Sequence, residues 1–140
     1  MKFKSYFAVA ALAAVAFGAQ AQDYRYIAPD SLKQRLQAGD KPLLIDIQVE
    51  KEFSQHHLPG ALPTYAYPAK SEAEREKLKP AVSRILASKE DVVIVCPGGG
   101  SGAKNTVDYL KSQGVPEKRL LILEKGQKGW PYADLVQKGP

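Results

Sequence analysis

The chain has 140 residues, with 20 Lys and Arg against 15 Asp and Glu and a formal net charge of +5. The two signs are interleaved, and no dense basic run with aromatics occurs, so the usual electrostatic footprint of a nucleic-acid binder is missing. The one cysteine, Cys96, excludes an internal disulfide.

Residues 1–21 read as an export signal. Lys2 and Lys4 give a basic start, an alanine-rich apolar stretch runs from Tyr6 to Phe17, and Ala19-Gln20-Ala21 fits the small-x-small cleavage pattern. An apolar run of about 12 residues is too short to span a bilayer, which weighs against a membrane anchor. Cleavage after Ala21 predicts one mature domain over residues 22–140, periplasmic or secreted and without a stable membrane anchor. Losing Lys2 and Lys4 takes the charge from +5 to +3. That mild positive field still draws small anions.

Pro29 to Ala38 predicts a short helix: Pro29 suits a first helical position, Leu32 and Leu36 are one turn apart, and Gly39 ends it. Leu43-Leu-Ile-Asp-Ile47 is a continuous apolar run of the buried parallel type, with an acid near its end. Glu50 to Gln55 fits one or two helical turns, and Ala61 to Pro68 is a proline-interrupted extended segment. Ser71-Glu-Ala-Glu74 matches a capping box and opens a charged, solvated helix that Pro80 breaks or restarts. Val92 to Val95 is the clearest strand. A helix from Ser101 or Gly102 to Gln113 follows, stopped at Gly114. Leu120 to Leu123 is another buried strand, Gly126 to Gly129 a loop, and Trp130 to Val136 a last helix. Alternating strands and helices imply an α/β fold, a parallel sheet covered on both faces. Ligands of such sheets bind beyond the carboxyl ends of the strands, where Asp46 and Cys96 fall.

Cys96 stands between Val92-Val-Ile-Val95 and Pro97-Gly-Gly-Gly-Ser101-Gly102. A strand that ends in a thiol, followed by glycines and then a helix, can surround sulfur with backbone N–H groups and a helix N-terminus. Such surroundings favour a nucleophilic thiolate. An inert core cysteine at the end of a strand is the alternative. The amides of Gly98, Gly99, Gly100, Ser101, Gly102 and Ala103 are the candidates to point inward, while Pro97 has no N–H and only stiffens the turn. No metal or organic cofactor is called for, since His56 and His57 are adjacent and make a poor metal site.

Three separated motifs, together with a fourth region near the end, resemble those of a single-domain rhodanese. Leu43-Leu-Ile-Asp46-Ile-Gln48 is similar to the family's strand ending in Asp-Val-Arg. Glu52-Phe53 with His57-Leu-Pro59-Gly60-Ala61 resembles its Glu-Phe and His-Ile-Pro-Gly-Ala segment. Val92 to Cys96 with its six-residue turn into a helix resembles the active-site loop, and Gly126 to Pro131 fits the Gly-Gly-x-x-Trp region. The likeness covers most of Asp23 to Val136.

The resemblance implies a three-layer fold with about five parallel strands. It also implies a sulfurtransferase that carries sulfane sulfur as a Cys96 persulfide. The donor would be thiosulfate, a polysulfide or a persulfide, and the acceptor a thiol or a cyanide-like molecule. A non-catalytic binding or partner module of the same shape is the alternative. Ser101 stands where many relatives have arginine, which weakens the case for thiosulfate. Lys104 either replaces that charge or faces solvent. Gln48 stands at a second family arginine and is expected to bond Glu52. Asp46 either holds the loop amides or is a solvated strand end. His57 is architectural or a general base, and Trp130 is core or a substrate wall.

Overall fold

A computed structural model describes residues 23–140. The export signal expected over residues 1–21 lies outside them. Five strands form one sheet: β1 (Tyr26–Ile27), β2 (Leu43–Asp46), β3 (Leu62–Pro63), β4 (Val92–Val95) and β5 (Leu120–Leu123). All pairings are parallel, in the order β1-β5-β4-β2-β3. The central strand β4 is buried along its whole length and pairs on both sides, Ile94 opposite Ile45 of β2 and Ile122 of β5. A strand covered on both faces must be apolar throughout, which is why Val92 to Val95 shows no polar alternation.

Alternate residues of β4 feed two cores. Val92 and Ile94 face the helices α4 (Lys79–Leu86) and α5 (Ser101–Ser112), packing with Val82, Ile85, Val107 and Leu110. Val93 and Val95 face the other way, onto Leu32 of α1 (Pro29–Ala38), Leu58 and Trp130. Each fully buried Leu or Ile contributes about 1.5–3 kcal/mol of transfer free energy. Continuing the same alternation past the strand places Cys96 on the α4–α5 side and in that first core.

The helix ends follow their local chemistry. Gly39 closes α1 in the left-handed region at φ 79°. The capping box opens α3 (Glu72–Glu76): Glu74 N–H donates to Ser71 Oγ at 3.2 Å and Ser71 N–H to Glu74 Oε2 at 2.9 Å. Pro80 sits in the first turn of α4, so it restarts the helical course rather than breaking one helix. The short helix α2 (Glu50–Gln55) follows β2.

The ends of the sheet and the tail differ from expectation. The two-residue β1 is absent from the sequence reading, and β3 is only two residues near the start of the extended 61–68 segment. Trp130 to Val136 is not a helix. It holds one 3-10 turn at Ala133–Leu135, after which Gln137 pairs with His57 through two backbone hydrogen bonds. Pro131 pushes the preceding residue out of the helical region, and Trp130 is extended at φ −72°, ψ 113°. Among the described residues no helix is long and apolar enough to cross a membrane.

Candidate active site

Cys96 follows β4 directly and is 1% exposed. The Gly99 N–H donates to its Sγ at 2.8 Å. This return of the backbone requires glycine. Gly99 has φ +74°, and a Cβ there would lie 2.9 Å from Lys125 N and 3.1 Å from the Leu123 carbonyl oxygen.

The turn after β5 locks the loop from behind. Gln127 N–H donates to the Cys96 carbonyl at 2.8 Å, and Lys128 N–H to the Pro97 carbonyl at 3.0 Å. Gly126, with φ +61°, packs so tightly that a Cβ on it would lie 2.2 Å from the Cys96 oxygen. The negative ends of two peptide dipoles are thus tied away from the thiol, while the amide of Gly99 is turned toward it. Such an arrangement stabilises charge on sulfur with backbone alone.

The six amides proposed from sequence divide into three groups. Gly99 reaches the sulfur. Ser101, Gly102 and Ala103 form the first turn of α5, whose N–H groups have no carbonyl within the helix, and the first closure there is Lys104 N–H to the Gly100 carbonyl at 3.3 Å. A Cβ on Gly98 or Gly100 would meet nothing within 4 Å, but the Gly98 nitrogen lies against Gly126, where a built Cβ would come within 2.8 Å of it. The positive end of α5 therefore adjoins the thiol loop, but Gly99 supplies the one direct bond to sulfur.

Asp46 fits neither sequence expectation. It is 0% exposed, so it is no solvated strand end, and its side-chain oxygens bond Gln48 rather than the amides of the cysteine loop. Its Oδ1 accepts from Gln48 N–H at 2.8 Å and its Oδ2 from Gln48 Nε2 at 3.0 Å. Burial pushes its pKa up to about 6, against the opposing pull of those two bonds and of His57, with the Glu52 charge adding to the rise. Gln48 does not bond Glu52; its Nε2 also reaches the His56 carbonyl at 3.0 Å. A buried carboxylate is the stronger draw for a short amide.

His57 is buried. Its Nδ1 lies 2.9 Å from the Phe53 carbonyl, and its ring stacks on Phe53 at 3.9 Å between centroids. Trp130 belongs to the core on the side opposite Cys96, edge-on to Tyr132 at 5.1 Å. Lys104 is exposed, its Nζ 5.6 Å from the centre of the Tyr24 ring, as its solvent-facing alternative requires.

Sequence reasoning missed Tyr67. Its ring covers Gly102: a Cβ there would meet ring carbons at 2.7 Å, with Ile47 Cδ1 at 3.4 Å. Asn105 Nδ2 donates to the Pro68 carbonyl at 3.1 Å and pins this segment onto α5. Tyr67 is 39% exposed, an aromatic side chain beside the first turn of the helix that borders the thiol. Only the unusual proline spacing of residues 61–68 hinted at a fixed path there.

The rhodanese-like domain family model matches residues 28–132, and the chain belongs to that family. No curated protein matches it. Among solved structures it is similar to an As-Sb reductase from Leishmania major, at 18% identity and TM-score 0.64, over 83% of this chain and 86% of that one. A rhodanese-like domain from Anabaena sp is similar at 21% identity and TM-score 0.59, covering 83% and 80%. A thiosulfate sulfurtransferase from Pseudomonas aeruginosa matches at 24% identity and TM-score 0.61, over 84% of this chain but 20% of that chain. At these identities the likenesses establish the shared fold.

Proposed function

We propose that this protein is a sulfurtransferase that works outside the cytoplasm, after removal of residues 1–21, and carries sulfane sulfur on Cys96. The observation that carries this function is the Gly99 N–H aimed at Cys96 Sγ at 2.8 Å, within a loop braced from behind and leading into a helix N-terminus.

In the first half-reaction the Cys96 thiolate attacks the sulfane sulfur of the donor. The donor's S–S bond breaks, and the leaving group departs with the electron pair, as sulfite from thiosulfate or as a thiolate from a persulfide. Cys96 is left as Cys–S–S⁻. In the second, an acceptor thiolate or cyanide attacks the terminal sulfur, the new S–S bond breaks, and the Cys96 thiolate returns. No external oxidant or reductant enters. The loop amides hold the charge as it moves one atom outward. No arginine stands at Ser101 to clamp a dianion in two-point contact, so a persulfide or polysulfide suits the loop better than thiosulfate. At 1% exposure the thiol is reached by a donor only when the loop yields.

The test is release of sulfide or thiocyanate from thiosulfate and polysulfide donors, with Cys96→Ser as control. Activity confined to the wild type supports transfer through Cys96; equal activity in both proteins sinks it.

The deep burial of Cys96 within an apolar cluster favours a second function, a non-catalytic binding module. A protein that takes up no sulfur from any donor while Cys96 remains alkylatable would have that function.

A further inference from the structure

A short hydrogen-bond ladder at the carboxyl end of the sheet links Tyr67 to the cysteine strand. The Ile47 N–H donates to the Val95 carbonyl at 2.9 Å, and the Tyr67 N–H to the Ile47 carbonyl at 2.8 Å. Each step across a sheet is about 5 Å, so a small organic molecule can span the distance from Cys96 to Tyr67. The ring covers Gly102 in the first turn of α5, next to Ile47 Cδ1. On the far flank the turn after β5 closes the cysteine loop with backbone, through the Gln127 and Lys128 amides. The flank toward β3 is closed by an aromatic side chain instead, and that side chain is 39% exposed.

The backbone around Tyr67 is strained and held. Tyr65 and Ala69 have φ +57° and +59°, in the left-handed region that residues with a Cβ rarely enter. Thr64 N–H and its hydroxyl both donate to the Asp46 carbonyl at 2.9 Å, and Asn105 Nδ2 donates to the Pro68 carbonyl at 3.1 Å. Strain persists where neighbours over-determine it, and it concentrates at segments that hold ligands. Here it secures a partly exposed aromatic surface beside the thiol loop. Val49, also 39% exposed, follows β2 at the same end of the sheet. Neither side chain is charged.

We infer that Tyr67 is a specificity-determining residue that receives the organic group of the sulfur donor, and that this donor is a persulfide bearing an aromatic or other bulky apolar group. The inference rests on the sulfur transfer proposed for Cys96. The Cys96 thiolate attacks the terminal sulfur of R–S–SH, and the S–S bond breaks. R–S⁻ leaves with the electron pair, its R group against the Tyr67 ring, and Cys96 keeps the S–SH. No cation at position 101 selects an inorganic dianion, so the apolar contact is what separates one donor from another.

Benzenethiosulfonate and methanethiosulfonate are stable probes of this choice. Each carries a single negative charge and a terminal sulfane sulfur, and they differ in phenyl against methyl. The mature wild type, Tyr67→Ser and Tyr67→Phe are compared by kcat/KM with both donors. Taking the ratio of the two donors within each protein, then comparing proteins, cancels the donors' intrinsic reactivities. The benzene-to-methane ratio should fall about three- to tenfold in Tyr67→Ser, mainly through KM, and stay within about twofold of wild type in Tyr67→Phe, as one aromatic contact requires. If the wild type gains about 32 Da on Cys96 but the ratio is unchanged in Tyr67→Ser, the role of Tyr67 is overturned and sulfur transfer stands. No mass gain from either donor refutes transfer itself, and this inference with it. Should Tyr67→Ser not fold, the wild type decides: benzenesulfinate, the leaving group, should shift the Tyr67 ring resonances saturably, and no shift up to about 10 mM overturns the proposal.

Discussion

Gly126 and Cys96 meet backbone to backbone: a Cβ on Gly126 would lie 2.2 Å from the Cys96 carbonyl oxygen, less than any real contact allows. The turn after β5 and the loop after β4 are therefore one unit. The residues that shape the thiol's surroundings come from a stretch about thirty positions downstream in the chain, a separation that backbone packing at the end of a parallel sheet routinely bridges.

Gly126→Ala should accordingly be among the most damaging single-methyl additions in the protein. It combines φ +61° with overlap against fixed backbone, for which about 2–4 kcal/mol is expected. Chemical denaturation measures the loss, and sulfur uptake by Cys96 should fall with it. A variant with wild-type stability would mean that the two loops are not interlocked.

Gly102→Ala tests the opposite case. Its Cβ would strike the Tyr67 ring at 2.7 Å, but that ring is half-exposed and can swing aside. The cost should stay near or below about 1 kcal/mol, and Tyr67→Ala should abolish it in a double-mutant cycle. Additive effects of the two changes would show that ring and helix do not touch in solution.

Ser101→Arg places a guanidinium at the start of α5, at the exposed edge of the cysteine loop. Thiosulfate turnover should rise by about tenfold or more, since a charge-assisted contact is worth about 1.5–3 kcal/mol. Turnover with a polysulfide donor should change less. No rise with thiosulfate would show that the missing cation is not what limits this donor.

Asp46 gives a pH dependence of known sign. Its carboxyl titrates near about 6 in the folded protein and near about 3.9 in the unfolded chain. The folded state thus binds the proton more tightly. Stability from this group is fully present below about pH 4 and is lost as pH rises through about 6, by an amount on the order of 3 kcal/mol. Asp46→Asn should flatten the stability profile between those values in urea unfolding at several pH points. An identical slope in the variant would place the titration elsewhere.

Much of this fold was legible because its buried strands and helix ends obey local rules. Leu43 to Asp46, Val92 to Val95 and Leu120 to Leu123 are continuous apolar runs, and Pro29, Gly39, Ser71 and Gly114 mark helix ends by their own chemistry. The edge strands β1 and β3, two residues each, leave too little pattern to read. In the site, the strand, cysteine and glycine order pointed to Cys96 and to six candidate amides, but not to Gly99 as the one that bonds the sulfur. The partners of Asp46 and Gln48 could not be picked out, because a buried carboxylate two residues from its nearest amide looks the same in sequence as a solvated one. Tyr67 and Gln127 were hidden for a different reason. Their roles arise from where distant loops land, which no local spacing encodes.

The most direct measurement is the intact mass of the purified mature protein after exposure to a polysulfide donor, beside Cys96→Ser treated alike. Sulfur transfer predicts a gain of about 32 Da on the wild type, removed by a thiol and absent from the variant. A wild-type protein whose Cys96 alkylates freely yet never gains that mass would contradict it.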